Sequence, residues 1–173
     1  GGGVKHIVVG SVASKVLSGL LHTPVILSGK RPNNKRIIIA VDGSQSATQA
    51  AMFAGQLAGS PDYAAILLHI VRTHNLEVMP KEMLHGHKKR MLTTFVELKG
   101  ALTTAGMAPK NISEKIVIGA SSRANAIVEE AKKQNVNTIV MGKRGLSREQ
   151  DYQMGQVCEK VIHSNRDFSV WLV

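Results

Sequence analysis

The strongest constraint on this chain is a repeated change of hydrophobic period. Arg36–Val41 is a short run, rich in β-branched residues, that is apolar at both alternating sets of positions, as a strand covered on two faces must be. It stops at Asp42-Gly43-Ser44, where the Ser44 or Ser46 hydroxyl can cap the helix that follows, the latter as a capping box with Gln49. That helix runs through about Ala58 and is Ala-rich, so it can lie close to a sheet. Ala64–Val71 reads as a second strand, interrupted by His69. Pro80 suits the first turn of a long helix, whose inner stripe is Leu84, Met91, Phe95, Leu98 and Leu102 and which stops near Gly106. Lys115–Ile118 is the third strand, Ser122 caps a helix with Ile127, Val128 and Ala131 inward, and Thr138–Met141 is the fourth. A helix over Gly155–Ser164 and a strand over Phe168–Val173 close the series. Strands separated by helices long enough for crossovers predict an open, doubly wound, mostly parallel α/β sheet of five strands.

Self-comparison adds a second constraint. Gly10-Ser11-Val12-Ala13-Ser14-Lys15-Val16-Leu17 aligns with Gly155-Gln156-Val157-Cys158-Glu159-Lys160-Val161-Ile162, and the same ungapped offset sets Val25-Ile26-Leu27 on Val170-Trp171-Leu172. A helix-plus-strand unit therefore occurs twice, about one domain apart. The expected organisation is a tail of a preceding, N-terminally truncated copy over residues 1–28, a polar linker over 29–35 containing Pro32, and a complete domain over 36–173.

Composition narrows the function classes. With 43% apolar and 20% charged residues the chain can bury a core. Three Phe, two Tyr and one Trp leave few platforms for base stacking, so nucleic-acid recognition ranks low despite a net charge of +10. Nonspecific RNA binding through the basic N-terminal third is a low-ranked possibility that would show a steep salt dependence. The single Cys158 excludes an intrachain disulfide and a Cys-based zinc site, and its alignment with Ala13 marks a small buried helix position. The apolar runs are far shorter than a membrane span, and a cytoplasmic location is the expectation. His85 and His87 are two apart on the long helix and face different directions; His69 reads as a hydrogen-bonded structural residue and His74 as a loop residue without a role. Ser44 and Ser46 lack the surroundings of a nucleophile, and Lys88-Lys89-Arg90 reads as a solvent face.

The loop after the fourth strand carries the chemistry. Gly142-Lys143-Arg144-Gly145 follows the strand and Gly155 opens a helix, so bare backbone amides and a helix N-terminus are offered to a phosphate, with Lys143 and Arg144 adding charge. Asp42, at the end of another strand, supplies an acceptor for the polar edges of a nucleoside.

These residues resemble the universal stress protein family, whose nucleotide-binding members carry Gly-x2-Gly-x9-Gly followed by Ser or Thr; here the glycines are Gly142, Gly145 and Gly155. The resemblance extends over Ile38–Ser44, Leu67–Ile70, Gly119–Ala131 and the closing helix and strand, and Gly10-Ser11-Val12-Ala13 is similar to the family wording as well. It implies an ATP site, with Mg2+ as the accompanying ion, drawn from Ala40, Val41, Asp42, Ile70, Met141, Gly142, Lys143, Arg144, Gly145, Gly155, Gln156 and Val157. In that set Val41 and Asp42 lie near the adenine and ribose, Ile70 and Met141 pack on the base, and the three glycines surround the phosphates. Gln156 stands where the family has its hydroxyl residue, and Ser147–Asp151 is heavily charged. Two functions are therefore expected from the same fold. One is a nucleotide-binding regulatory module of the stress response, without a dedicated general base and with at most slow hydrolysis. The other is an assembly module with a disused pocket, in which Pro24–Ser28 lies antiparallel beside Ser169–Val173, as a homodimer or an intrachain pseudo-dimer.

Overall fold

The computed structural model describes residues 17, 19, 20, 22–72, 81–146, 154–164 and 166–173. The Gly10–Val16 half of the repeat, His74, Pro80 and the charged loop Ser147–Asp151 lie outside the described residues. Strands β1 (Val25–Leu27), β2 (Arg36–Ala40), β3 (Ala64–Arg72), β4 (Ile112–Ala120), β5 (Thr138–Met141) and β6 (Ser169–Leu172) form one sheet in the order β1-β6-β5-β2-β3-β4. All neighbours are parallel except β1, which runs antiparallel to β6 with Val25 opposite Leu172, Ile26 opposite Trp171 and Leu27 opposite Val170. The sheet thus has six strands, not five: the open edge of β6 presents unpaired backbone groups, and the 25–27 segment takes them up.

Helices α1 (Gln45–Ala58), α2 (Lys81–Thr104), α3 (Arg123–Lys133) and α4 (Gln156–Ser164) cover the two faces. Strand alternation divides the core into two layers. Ile38, Ile66, Leu68, Ile70, Ile139, Met141, Val170 and Leu172 pack with α3 and α4. Ile37, Ile39, Val41, Ala65, Leu67, Val140 and Trp171 pack with α1 and α2, where Ala50, Ala51 and Ala54 are fully buried and let α1 approach the sheet.

Local chemistry explains the element ends. Ser44 caps α1 by accepting from the Ala47 amide at 3.1 Å, and Ser122 caps α3 by accepting from the Asn125 amide at 3.4 Å. The Ser46–Gln49 capping box is not used; the Ser46 hydroxyl donates instead to the Val173 carbonyl at 3.2 Å. α2 closes where Gly106 takes φ +110°, the Gly106 amide reaching Thr103 and the Met107 amide reaching Leu102. That is a Schellman motif, sealed by the buried Leu102 and Met107 side chains. β4 is longer than the expected 115–118, because on this edge strand the polar Ser113 and Glu114 pair with β3 through their backbones while their side chains stay exposed.

The 29–35 segment is strapped across the amino-terminal ends of β5 and β6. The Lys30 and Arg31 amides donate to the Arg166 and Asp167 carbonyls, the Arg31 guanidinium lies 4.7 Å from the Phe168 ring centre, and the Asn137 amide group donates to the Pro32 carbonyl.

On the β4 side, Glu130 is buried and accepts from Lys115 Nζ at 2.5 Å and Gln134 Nε2 at 2.8 Å. Burial alone would raise its pKa, but these two donors and the lysine charge outweigh it and hold the carboxyl below its ordinary range. A group with a depressed folded pKa contributes stability above its unfolded value of 4.5, and that stability is lost as pH falls through the folded value. Glu130→Gln is therefore expected to flatten the acid limb of the stability–pH curve, measured as urea midpoints between neutral pH and about pH 3.

Candidate functional site

β2 sits between β3 and β5, and the chain leaves β2 toward α1 on one face and β5 toward α4 on the other. The loops after β2 and β5 diverge there, so the carboxyl ends of these two strands frame the crevice in which doubly wound sheets place their ligands. The two loops that carry the sequence-derived residues meet at this switch point.

On the β2 side, the Val41 amide donates to the Leu68 carbonyl at 2.8 Å. Asp42 Oδ1 accepts from the Ser44 amide at 2.9 Å in an Asx turn, and Gly43 has φ +84°, a conformation that glycine adopts freely. On the β5 side, a Cβ placed on Gly145 would stand 3.0 Å from Asp42 Oδ2, so the carboxylate and the glycine loop are neighbours. Gly142 is bare for a different reason. A Cβ there would come within 2.7 Å of the Ser46 carbonyl carbon, because the first turn of α1 packs directly on it. Gly155 donates to the Lys143 carbonyl at 2.7 Å, folding the loop back on itself.

The predicted residues fall into two groups. Ile70, Met141 and the half-buried Ala40 share the layer beneath α3 and α4, together with Val157, whereas Val41 belongs to the layer beneath α1 and α2. Arg144 and Gln156 are exposed, Gln156 as the first residue of α4. Lys143 does not face outward as a loop cation would. It is only 2% exposed, and its ammonium donates to the Leu20 carbonyl at 2.5 Å and to the Thr23 carbonyl. Burial pulls its pKa below the ordinary lysine range.

Three features escape the sequence reading. Met154, buried just before Gly155, fills the same apolar layer as Ile70 and Met141. Ser46 links the site to the last residue described, by donating to Val173 and accepting from the Arg144 amide at 3.4 Å. An open groove of about 680 Å³ runs from this junction along α1, lined by Ser46, Gln49, Met52, Phe53 and Gln56 on one wall and by His22, Pro24, Arg144 and Gly145 on the other. The residue before Gly155 and the spacing of polar positions along α1 are the only sequence signals these carry.

Cys158, in the first turn of α4, is buried, and burial pushes its thiol up to about 12. His69 and His87 form a pair: His69 Nδ1 lies 2.7 Å from the Val41 carbonyl oxygen, and the two Nε2 atoms lie 2.8 Å apart. Burial holds both imidazoles below their ordinary range. Among the described residues no group of three His, Cys, Asp or Glu side chains is assembled for a metal ion, and no helix is long and apolar enough to cross a membrane.

Comparison with known proteins decides the lineage, because residues 33–169 match the model of the universal stress protein family. The chain belongs to that family. A universal stress protein from Lactobacillus plantarum superposes with a TM-score of 0.66 at 19% identity, covering 83% of this chain and 99% of its own. A universal stress protein in complex with cAMP gives 0.58 at 23% identity, covering 82% and 98%. One from Archaeoglobus fulgidus in complex with dAMP gives 0.58 at 19%, covering 79% and 95%. At these identities the likeness is one of fold. No curated protein matches the sequence. The matched residues span β2 to β5 and reach the first residue of β6; β1 lies upstream of them.

Proposed function

We propose that this universal stress protein domain is a regulatory module that binds an adenine nucleotide, ATP accompanied by Mg2+, across the β2/β5 switch point. The observation that carries the proposal is the meeting of Asp42 with Gly145 there: an acid suited to ribose hydroxyls sits beside a glycine of the β5 loop, where the two loops of the switch point come together. The cAMP and dAMP complexes of relatives with the same fold support an adenine nucleotide as the ligand class. Ala40, Ile70 and Met141 would form the apolar side of the site, with Val41 entering from the opposite layer at the end of β2, and Gly142, Gly145, Gly155, Arg144 and the α4 N-terminus at Gln156 and Val157 its phosphate side. Asp42 and the phosphate oxygens would hold the ion, since Mg2+ takes oxygen ligands and keeps several waters. In this reading the module signals by occupancy in a stress response, with at most slow hydrolysis, rather than by dedicated turnover.

In this proposal residues 1–28 are the closing helix and strand of a preceding copy, 29–35 the linker and 36–173 the complete domain. The β1–β6 pairing supports reading β1 as the partner strand of a pseudo-dimer.

Isothermal titration with ATP tests the site. Asp42→Asn keeps the Oδ1 acceptor for the Ser44 amide but removes the charge, so the expected result is a saturable heat for the wild type and about tenfold weaker binding in the variant (about 1.4 kcal/mol) at unchanged melting temperature. Equal affinity in both would remove Asp42 from the site. A second reading has its own support: Ser46 packs on Gly142, Met154 fills the apolar layer and Lys143 is held by Leu20 and Thr23, as in an assembly module with a closed pocket. That reading expects no ATP heat at all.

A further inference from the structure

At the carboxyl end of β3, away from the glycine loop, two imidazoles converge. His69 shares strand parity with Ala65 and Leu67, so its side chain turns toward α1 and α2 rather than toward α3. The Val41 carbonyl can only accept, which fixes the hydrogen of His69 on Nδ1 and leaves the Nε2 lone pair aimed at α2. His87 meets it from α2, Nε2 to Nε2 at 2.8 Å, with ring centres 5.0 Å apart and planes at 44°. A single proton bridges two nitrogens that are both good donors to a soft-borderline cation.

We propose that His69 and His87 form a two-imidazole binding site for a divalent transition-metal ion of the Zn2+, Cu2+, Ni2+ or Co2+ class, which takes the place of that bridging proton. An imidazole whose other nitrogen donates to a backbone carbonyl is the arrangement that orients and strengthens a metal ligand. A tetrahedral ion at about 2.0–2.1 Å from each nitrogen needs them roughly 3.3 Å apart, so the pair must open by about half an ångström. His87 can supply this movement, because it is half-buried and lies on the N-terminal part of α2, before the fully buried stripe begins at Met91. Water completes the coordination, since no third protein ligand is assembled there among the described residues.

The nitrogen ligands set the selectivity, and the surrounding charges set the affinity. Asp42 attracts a cation to this end of the sheet, while Arg123 at the start of α3 and Arg90 on α2 oppose it. A site with two neutral nitrogens and two nearby guanidiniums rejects Mg2+ and Ca2+, which require oxygen ligands, and retains ions with high imidazole affinity.

The test uses untagged, chelator-treated full chain titrated calorimetrically with ZnCl2 at pH 7.5, and with CoCl2 followed by visible absorption. The expected result is one site per chain, weakened at least tenfold by His87→Ala and left unchanged by His85→Ala, two residues away on the same helix. Because His87 is only half-buried, circular dichroism and the melting temperature of His87→Ala establish that the variant is folded. Absence of stoichiometric binding in the wild type, or equal binding in folded His87→Ala, overturns the site. So does loss of binding on His85→Ala alone. The metal is the only probe, so failure of the nucleotide proposal leaves this result unaffected.

Discussion

Gly142→Val is expected to lower the melting temperature by roughly 2–12 °C and to abolish any ATP heat with it. A Cβ at this position would stand 2.7 Å from the Ser46 carbonyl carbon, so the obstruction includes backbone rather than a flexible side-chain tip. Ser46 lies in the first turn of α1, which cannot retreat freely because Ala47, Ala50, Ala51 and Ala54 are buried behind it. Overpacking of this kind costs about 1–3 kcal/mol, and about 2–4 °C of melting temperature accompanies each kcal/mol in a chain of this size. The β5 loop also carries the ties from Lys143 and Arg144 to Val173 and Ser46, so its displacement disturbs both sides of the crevice. Differential scanning calorimetry of Gly142→Val and of Gly142→Val with Ser46→Gly checks the cause. The second change removes the side-chain part of the obstruction and is expected to recover part of the loss. A Gly142→Val protein as stable as the wild type would show that the α1–β5 contact is not tight.

Phe95→Ala is expected to be the most damaging single change on the α2 side, at about 3–5 kcal/mol. Phe95 is fully buried in the layer it shares with Met91, Leu98 and Leu102 of its own helix and with Ile37, Ile39 and Leu67 of the sheet. Few aromatics are available to this chain, with three Phe in all, so the volume lost cannot be made up by a neighbouring ring. Against a typical total of about 5–15 kcal/mol, this brings the domain near its unfolding threshold. Urea unfolding at 25 °C measures it, and a loss under about 1 kcal/mol would mean that α2 is not anchored through this stripe.

Much of this architecture is legible in the residues, for reasons that can be named. The β2 run is apolar on both faces because helices cover both faces, and the α2 stripe is long enough for its period to be unmistakable. Ser44 announces α1 because an orphan amide needs an acceptor. The site is less legible. Lys143 reads as a phosphate-seeking cation from its neighbours in sequence, yet its partners are the carbonyls of Leu20 and Thr23, which only the tertiary fold brings near. Gly142 and Gly155 fit a phosphate loop, but packing against Ser46 and the bond to Lys143 require the same bareness. His87 has His85 as its near neighbour in sequence, while its actual partner His69 lies on another element. Local pattern fixes elements; pairings across elements depend on how the crossovers are wound.

The sheet order has a consequence for biosynthesis. β2 receives β3 early, through the compact α1 crossover, but its other neighbour is β5, with Ile38 opposite Ile139, on the order of a hundred residues later in the chain. During translation the first two parallel strands therefore emerge with one flank of β2 bare. Closure of the central seam waits until the ribosome has released almost the whole domain, and until then the apolar flank of β2 is open to mispairing.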